Sequence, residues 1–268
     1  MVKHPVERLP FVISDREGGW VKANYPQLGF EGGCPPLRLV GSIDFGYAPS
    51  RPSSLVRKMF GDADCRMTDS YDINISFDRR LPTCPMLPII QEVGGRIELA
   101  ARRYGITNLS DVHISIDGTL CLCAPAEAHL YFSAGFALEE YINNLVVPFF
   151  YGQSFFERYG TWPWGTYRHG WLGLLESYAT VGNDSSPQSL LELNRLIESA
   201  GESELSKRVD TALLKVTRPH MGGPCICSSG KRFRDCHPLI FQPLVKTWTM
   251  FQEQSEAQQQ TASSRPRK

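Results

Sequence analysis

"DSYDINISFD", residues Asp69 to Asp78, alternates Tyr71, Ile73, Ile75 and Phe77 with Asp72, Asn74 and Ser76. A side-chain period of two puts the apolar four on one face and the polar three on the other, the pattern of a half-buried strand. Upstream, "PPLRLVGSIDFGY" repeats the alternation with Leu37, Leu39, Ile43 and Phe45, and predicts a second strand. The intervening "PSSLVRKMFGDADCRM" reads as a long connection. Downstream, "CPMLPIIQEVGG" is a short apolar run bounded by prolines and by Gly94-Gly95. Proline cannot donate to a ladder, so this run is expected at a sheet edge. Further on the period lengthens. In "SAGFALEEYINNLVVPFF", Leu138, Tyr141, Ile142, Leu145, Val146 and Phe149 recur at three and four, which predicts one apolar helical face. The aromatic, glycine-rich "YGQSFFERYGTWPWGTYRHGWLGLLESY" is expected to be a loop packed on the body, followed by a short helix.

Across 268 residues, 28 Lys and Arg balance 28 Asp and Glu. The molecule as a whole therefore has no electrostatic claim on nucleic acid or anionic lipid, and any basic patch must be local. The N-terminal "MVKHPVERLPFVISD" lacks the apolar core of a secretory signal, and the most apolar stretch, Leu145 to Tyr151, is broken by Pro148. The expectation is a cytoplasmic protein without a membrane span. Eight cysteines in a reducing compartment read as ligands, nucleophiles or core thiols rather than as a disulfide framework.

No internal repeat is present. At "GNDSSP" the composition turns polar, and a domain boundary is expected near residues 182–186. The following "PQSLLELNRLIESAG" reads as a helix capped by Ser186, with Pro187 suited to its first position and Gly201 to its end. The final "EQSEAQQQTASSRPRK" has no apolar residue beyond alanine and is expected to be disordered.

Near the C-terminus, "PCICSSGKRFRDCH" sets Cys225, Cys227, Cys236 and His237 in a C-x-C-x8-C-H arrangement. Three thiolates and an imidazole suit tetrahedral zinc, and a filled tetrahedron leaves no open position, so such a site is structural. A segment this small cannot bury a core of its own, so metal binding would supply its folding energy, on the order of 10 kcal/mol. "CICSSGKRFRDCH" resembles the SEC-C motif, the zinc module at the C-terminus of the SecA translocation ATPase and in many bacterial proteins. Gly230, the basic run and Phe233 all fall in its pattern, while Ser228 stands where that family usually has glycine. Lys231, Arg232 and Arg234 form either a solvated rim or a docking surface for an acidic protein or RNA. The resemblance implies protein or ribosome contact.

The remaining chemistry lies in "VHISIDGTLCLC", Val112 to Cys123. Val112, Ile114 and Ile116 alternate, Asp117-Gly118 signals a hairpin turn, and Leu120 and Leu122 alternate again. On that pattern alone Cys121 and Cys123 are buried strand residues. A metal half-site with His113 or His129 is a second reading, with no fourth ligand in view. The third is a nucleophile. The order of strand, strand, edge strand, histidine loop, Gly-x-x-Cys-hydrophobic and amphipathic helix resembles the ubiquitin-conjugating-enzyme fold. That family has a His-Pro-Asn stretch and then Gly-Ser-Ile-Cys-Leu. Here His113 stands at the histidine, and Gly118-Thr119-Leu120-Cys121-Leu122 stands on the cysteine motif.

The likeness is greater to the bacterial members, through "LPIIQEVGGRI", "DGTLCL" and "PFFYGQS…WPWGTYRHG", and covers about residues 37–175. It implies an α+β domain with an antiparallel sheet and flanking helices over residues 1–182, and a helical connector over 183–217. The zinc module then covers 218–245, with a short helix and tail over 246–268. It also implies thioester transfer, in which Cys121 takes the C-terminal carboxyl of a ubiquitin-like protein, or of another protein, from an activating-enzyme-like partner and passes it to an amine. His113 would pin the loop. Ser115, standing where the family has asparagine, could donate to the oxyanion, and Ile114 replaces its proline. Asp117 and Glu127 are the acidic candidates near an incoming amine. His169 either lines the cleft or belongs to a rigid tryptophan loop, and Cys34, Cys65 and Cys84 read as inert. Bacterial relatives of this kind sit in antiphage defence. The rival expectation is an inactive conjugating fold that serves as a binding protein tethered by its zinc module. The N-terminal helix on which partners of that family dock is not evident before Leu37.

Overall fold

The computed structural model describes residues 11–33, 37–50, 65–81, 84–124, 128, 131–132, 134–163, 220–225, 229–236, 238, 241–242, 245 and 248–249. The chain divides into two compact units, residues 1–166 and 167–268. The boundary expected at 182–186, the connector over 183–217 and the tail beyond 249 lie outside the described residues.

The first unit is α+β. Four strands, β1 (Leu28–Glu31), β2 (Arg38–Tyr47), β3 (Met67–Leu81) and β4 (Cys84–Glu92), form one antiparallel sheet in chain order. The alternation in β3 sets its register. Tyr71 pairs with Ile43, Ile73 with Gly41 and Ile75 with Leu39, so the apolar residues of both strands share a face. On that face Leu39, Ile43, Phe45, Tyr71, Ile73, Ile75 and Phe77 are buried. A one-residue slip would turn all of them to the other side. Leu37, expected on the same face, precedes the strand and is exposed. Gly41 interrupts the apolar set for a steric reason: at φ 132 its ideal Cβ would fall 2.1 Å from the Gln27 carbonyl oxygen. Its proline-bounded β4 is the last strand of the order, at the sheet edge.

An N-terminal helix is present after all, α1 (Asp15–Asn24), ahead of β1. Periodicity misses it because Val21 is its one buried residue. Capping defines it instead. Ser14 Oγ accepts from the Glu17 amide at 3.3 Å, and Glu17 Oε2 accepts from the Ser14 amide at 2.9 Å. Glu17 Oε1 also accepts the Leu138 amide at 2.9 Å. One carboxylate thus caps two helices. Burial disfavours its ionisation, but these amide and hydroxyl donors outweigh that and lower its pKa.

A second unforeseen helix, α2 (Arg96–Arg103), stands between β4 and the histidine loop. The long helix α3 runs as an α-helical turn over Leu138–Tyr141, a π-helical stretch over Ile142–Val146 and an α-helix over Val147–Tyr159. All six residues predicted for its apolar face are buried. Pro148 is accommodated because a proline has no amide to donate and its ring crowds the preceding turn, and the wider π turn lies immediately before it. The stretch from Tyr151 to Tyr159, expected as a loop, is instead the end of α3, buried as far as Phe156. Gly160 stops the helix in the left-handed conformation. Apolar and aromatic side chains on every side from Val147 to Phe156 suit a helix segment enclosed by protein.

Arg96, at the start of α2, ties these layers together. Its guanidinium reaches Asp69 of β3 through two hydrogen bonds of 2.6 and 2.8 Å and Glu157 of α3 at 2.7 Å, and lies 4.4 Å from the centre of the Tyr71 ring. Ser154 of α3 adds a 2.8 Å hydrogen bond to Asp69. Burial raises the Asp69 pKa, but donation from Arg96, Ser154 and the Ser70 amide dominates and brings it down from 3.8 to about 2. No helix among the described residues is long and apolar enough to cross a membrane.

Because the folded-state pKa of Asp69 lies below its unfolded value, its contribution to stability is complete above about pH 4 and is lost as pH falls toward about 2. The urea midpoint of wild type should therefore drop more steeply over that window than that of Asp69→Asn. Parallel curves would disprove the assignment.

Candidate active-site hairpin

The residues singled out around Cys121 fold into a small hairpin clamped from three sides. It follows a 3-10 turn, Leu109–Val112, capped at its start by Asn108, whose side chain accepts from the Ser110 amide. His113 ends that turn in the left-handed conformation, φ 62 and ψ 32, and is the only described non-glycine residue with positive φ. An L-residue pays roughly 1–2 kcal/mol for that backbone, so its surroundings must hold it. They do so through its ring, which sits edge-on to Trp162 with centroids 5.0 Å apart and to Phe149 at 6.3 Å. Behind it, buried Gln153 of α3 donates from Nε2 to the Val112 carbonyl at 2.9 Å.

From there the chain turns on itself. Ile114 bridges Leu120, the Ser115 amide donates to Thr119 O at 2.8 Å, and the Cys121 amide donates to His113 O at 2.9 Å. The Asp-Gly pair takes a form other than the tight two-residue turn. Positive φ is confined to Gly118 (78°), and the Gly118 amide donates to Ser115 O. This is a three-residue loop with a glycine bulge. Asp117 Oδ1 accepts from both the amide and the hydroxyl of Thr119, at 3.2 and 2.7 Å. These bonds, the side-chain one foremost, lower the Asp117 pKa. The hairpin is fastened to the sheet edge by Leu120 N to Ile90 O at 2.8 Å and by Gln91 Nε2 to Asp117 O at 3.3 Å.

In this register Ile114 and Leu120 point into the core and Cys121 is exposed. The strand-filler reading therefore fails for Cys121. Two neighbours in an antiparallel strand point to opposite faces, and Leu120 takes the inner one. Cys123 is half-buried against the core, at a bend, and the Cys121 Sγ lies 3.8 Å from its carbonyl oxygen. Ile116, at the tip, is fully exposed. Cys121, Cys123 and His113 do not form a metal-holding group, and His129, Glu127 and His169 lie outside the described residues.

The structure thus brings Cys121 and His113 together through their backbones and places Ser115 one pair further along the same hairpin. Two positioning residues escaped the sequence reading. Gln153 had a signal, a lone amide in an otherwise apolar "VPFFYGQSFF". Trp162 lies in the tryptophan-rich stretch, but nothing in that stretch identifies His113 as its partner.

In the second unit, the Pro224–Arg232 bridge and the Cys225 amide donating to Lys231 O at 2.8 Å make another small hairpin. It turns at Ser229-Gly230, with Gly230 at φ 73, and leads into α4 (Phe233–Cys236). Phe233 is buried and meets Phe241 edge-on, with centroids 5.7 Å apart. Cys225 is buried, and Cys236 Sγ lies 3.1 Å from Ser229 Oγ. Cys227 and His237 lie outside the described residues, and among the described ones no group of three metal-ligating side chains occurs. Lys231, Arg232 and Arg234 are exposed, with Asp235 3.6 Å from Arg232 and 3.8 Å from Arg234. The basic rim is partly neutralised by its own carboxylate.

The backbone of His113 makes a specific prediction. His113→Gly and His113→Ala both lose the ring contacts, but only glycine relieves the positive φ. Chemical denaturation should find the alanine variant less stable than the glycine variant by about 1 kcal/mol. Equal stabilities would show that the strained backbone is not retained.

Set against known proteins, the chain matches no family model, no curated protein and no solved structure.

Proposed function

We propose that this chain is a cysteine-dependent conjugating enzyme of the ubiquitin-conjugating type. It would carry the C-terminus of a ubiquitin-like protein, or of another protein, on Cys121 as a thioester. The observation that carries this reading is the exposure of Cys121 on a hairpin locked to a sheet edge. A nucleophile that must meet two protein partners in turn needs a fixed backbone and an accessible thiol. The N-terminal helix, the four-strand meander and the long helix after the cysteine support it. The α2 insertion before the hairpin departs from the expected element order.

In the reaction, Cys121 Sγ attacks the activated carbonyl and expels the activating partner's thiol. An incoming amine then attacks the thioester, loses a proton and releases Cys121. His113 positions the loop through its backbone and ring. Ser115 is the side-chain donor for the oxyanion, and ionised Asp117 favours an ammonium approaching the hairpin.

One observation favours the alternative, an inactive binding protein of the same fold. The amides of Ser115, Gly118, Thr119, Leu120 and Cys121 already donate within the hairpin or to β4. They are therefore not poised for an oxyanion.

Cys225, Cys227, Cys236 and His237 are proposed to hold one structural zinc of SEC-C type. The donor chemistry fits, and the buried Cys225 and the Ser229-Gly230 turn place two of the four on one small hairpin-helix unit. Zinc would supply the folding energy of that unit and take no part in acyl transfer. Its basic rim is the proposed contact for an acidic protein or RNA, and the cytoplasm is the proposed setting.

The first test is a covalent trap. Cys121→Ser, expressed in its native host, should accumulate an oxyester adduct that mild base removes, while Cys123→Ser and Cys225→Ser should not. If no variant and no wild type carries an adduct, with the modifier machinery shown to be expressed, the binding-protein reading stands instead. For the metal, native mass spectrometry should show one zinc ion on wild type and none on Cys236→Ser. Metal-free wild type would refute the zinc assignment.

A further inference from the structure

Cys121 and Cys123 are one residue apart, yet nothing in acyl transfer uses the second thiol. Their setting is uneven. Cys121 is exposed and its backbone is fixed by the bond to His113 O, while Cys123 is half-buried and stands at a bend. Cys121 Sγ lies 3.8 Å from the Cys123 carbonyl oxygen. A straight strand would carry the i+2 residue away, near the upper limit of Cα separation for a disulfide. That separation still lies within the range a disulfide spans. With one intervening residue the loop to be closed is very short, so the second thiol is present at high effective concentration.

We infer that Cys121 and Cys123 form a thiol–disulfide exchange site, with Cys121 the attacking thiol, Cys123 the resolving thiol and a low-molecular-weight disulfide such as glutathione disulfide the oxidant. The Cys121 thiolate attacks one sulfur of the oxidant, forming a mixed disulfide and expelling one thiolate. The Cys123 thiolate then attacks the Cys121 sulfur, closing the intramolecular bond and expelling the second. Two protein thiols lose two electrons and two protons, and the small disulfide is reduced to two thiols. The order follows from exposure, because the reagent reaches Cys121 first. The ring is small and strained, so it is reopened by excess thiol, as labile and regulatory disulfides are. One consequence rests on the conjugating reading: the oxidised pair has no nucleophile at Cys121, so acyl loading would stop under disulfide stress. The exchange site itself is independent of that reading.

The test is peptide mapping of the full-length, zinc-loaded protein. Arg103 and Arg158 bound a stretch with no other Lys or Arg and with no cysteines besides these two, so trypsin releases Tyr104–Arg158 as one peptide. After reduction, treatment with glutathione disulfide and alkylation, this peptide should be about 2 Da lighter than the reduced form and carry no alkyl group. Excess reduced glutathione should restore both alkylation sites. Cys123→Ser should instead keep a glutathione adduct on Cys121. A wild-type peptide that retains that adduct with Cys123 alkylated, or that is alkylated at both cysteines, overturns the inference. Neither result bears on the covalent trap, whose failure would leave the exchange site standing.

Discussion

The carboxylate of Asp69 is the point on which the first unit turns. A charged group taken partly out of water is costly unless its oxygens are satisfied, and Asp69 is satisfied from two helices. Arg96 reaches it from the first turn of α2, and Ser154 reaches it from the middle of α3. Glu157, one turn beyond Ser154, takes the remaining edge of the same guanidinium. The net stabilisation from such a network is modest, because ion pairing offsets a desolvation penalty. Its value is geometric: the position of α2 relative to the sheet and to α3 is specified by directional bonds, where apolar contact alone would allow sliding.

That geometry sets the cysteine hairpin. α2 leads through residues 104–108 into the 3-10 turn, and α3 supplies Gln153 to the turn's last carbonyl and Phe149 to the His113 ring. The sheet contributes Ile90 and Gln91 from its free edge. Edge strands expose unpaired backbone groups that invite other strands, and here the hairpin occupies part of that edge. One device therefore covers a liability and holds an exposed thiol still. Backbone strain at His113 belongs to the same arrangement, since a left-handed non-glycine residue persists only where its surroundings over-determine it.

The second unit follows a different economy. Among its described residues, Cys225, Phe233 and Val245 are buried around a hairpin and one helical turn, and Phe241 meets the Phe233 ring edge-on.

The sequence by itself determined the elements whose periodicity is strong. The alternation at Asp69–Asp78 and Arg38–Tyr47 specified two paired strands and their buried face, prolines marked the edge strand, and the three-four spacing after Ala137 specified a buried helix. Each rests on side chains a few residues apart, which local pattern can reveal. Tertiary structure decided the rest. The helix at Asp15–Asn24 depends on capping bonds and on an amide 121 residues away. Tyr151–Phe156 is helical where protein encloses it, and the helix ends in exposed Arg158 and Tyr159. Whether Cys121 faced the core or the solvent depended on which member of the Leu120–Cys121 pair the sheet edge received. Only the long-range contacts at Ile90, Gln153 and Trp162 settle that, and no pattern within twelve residues contains them.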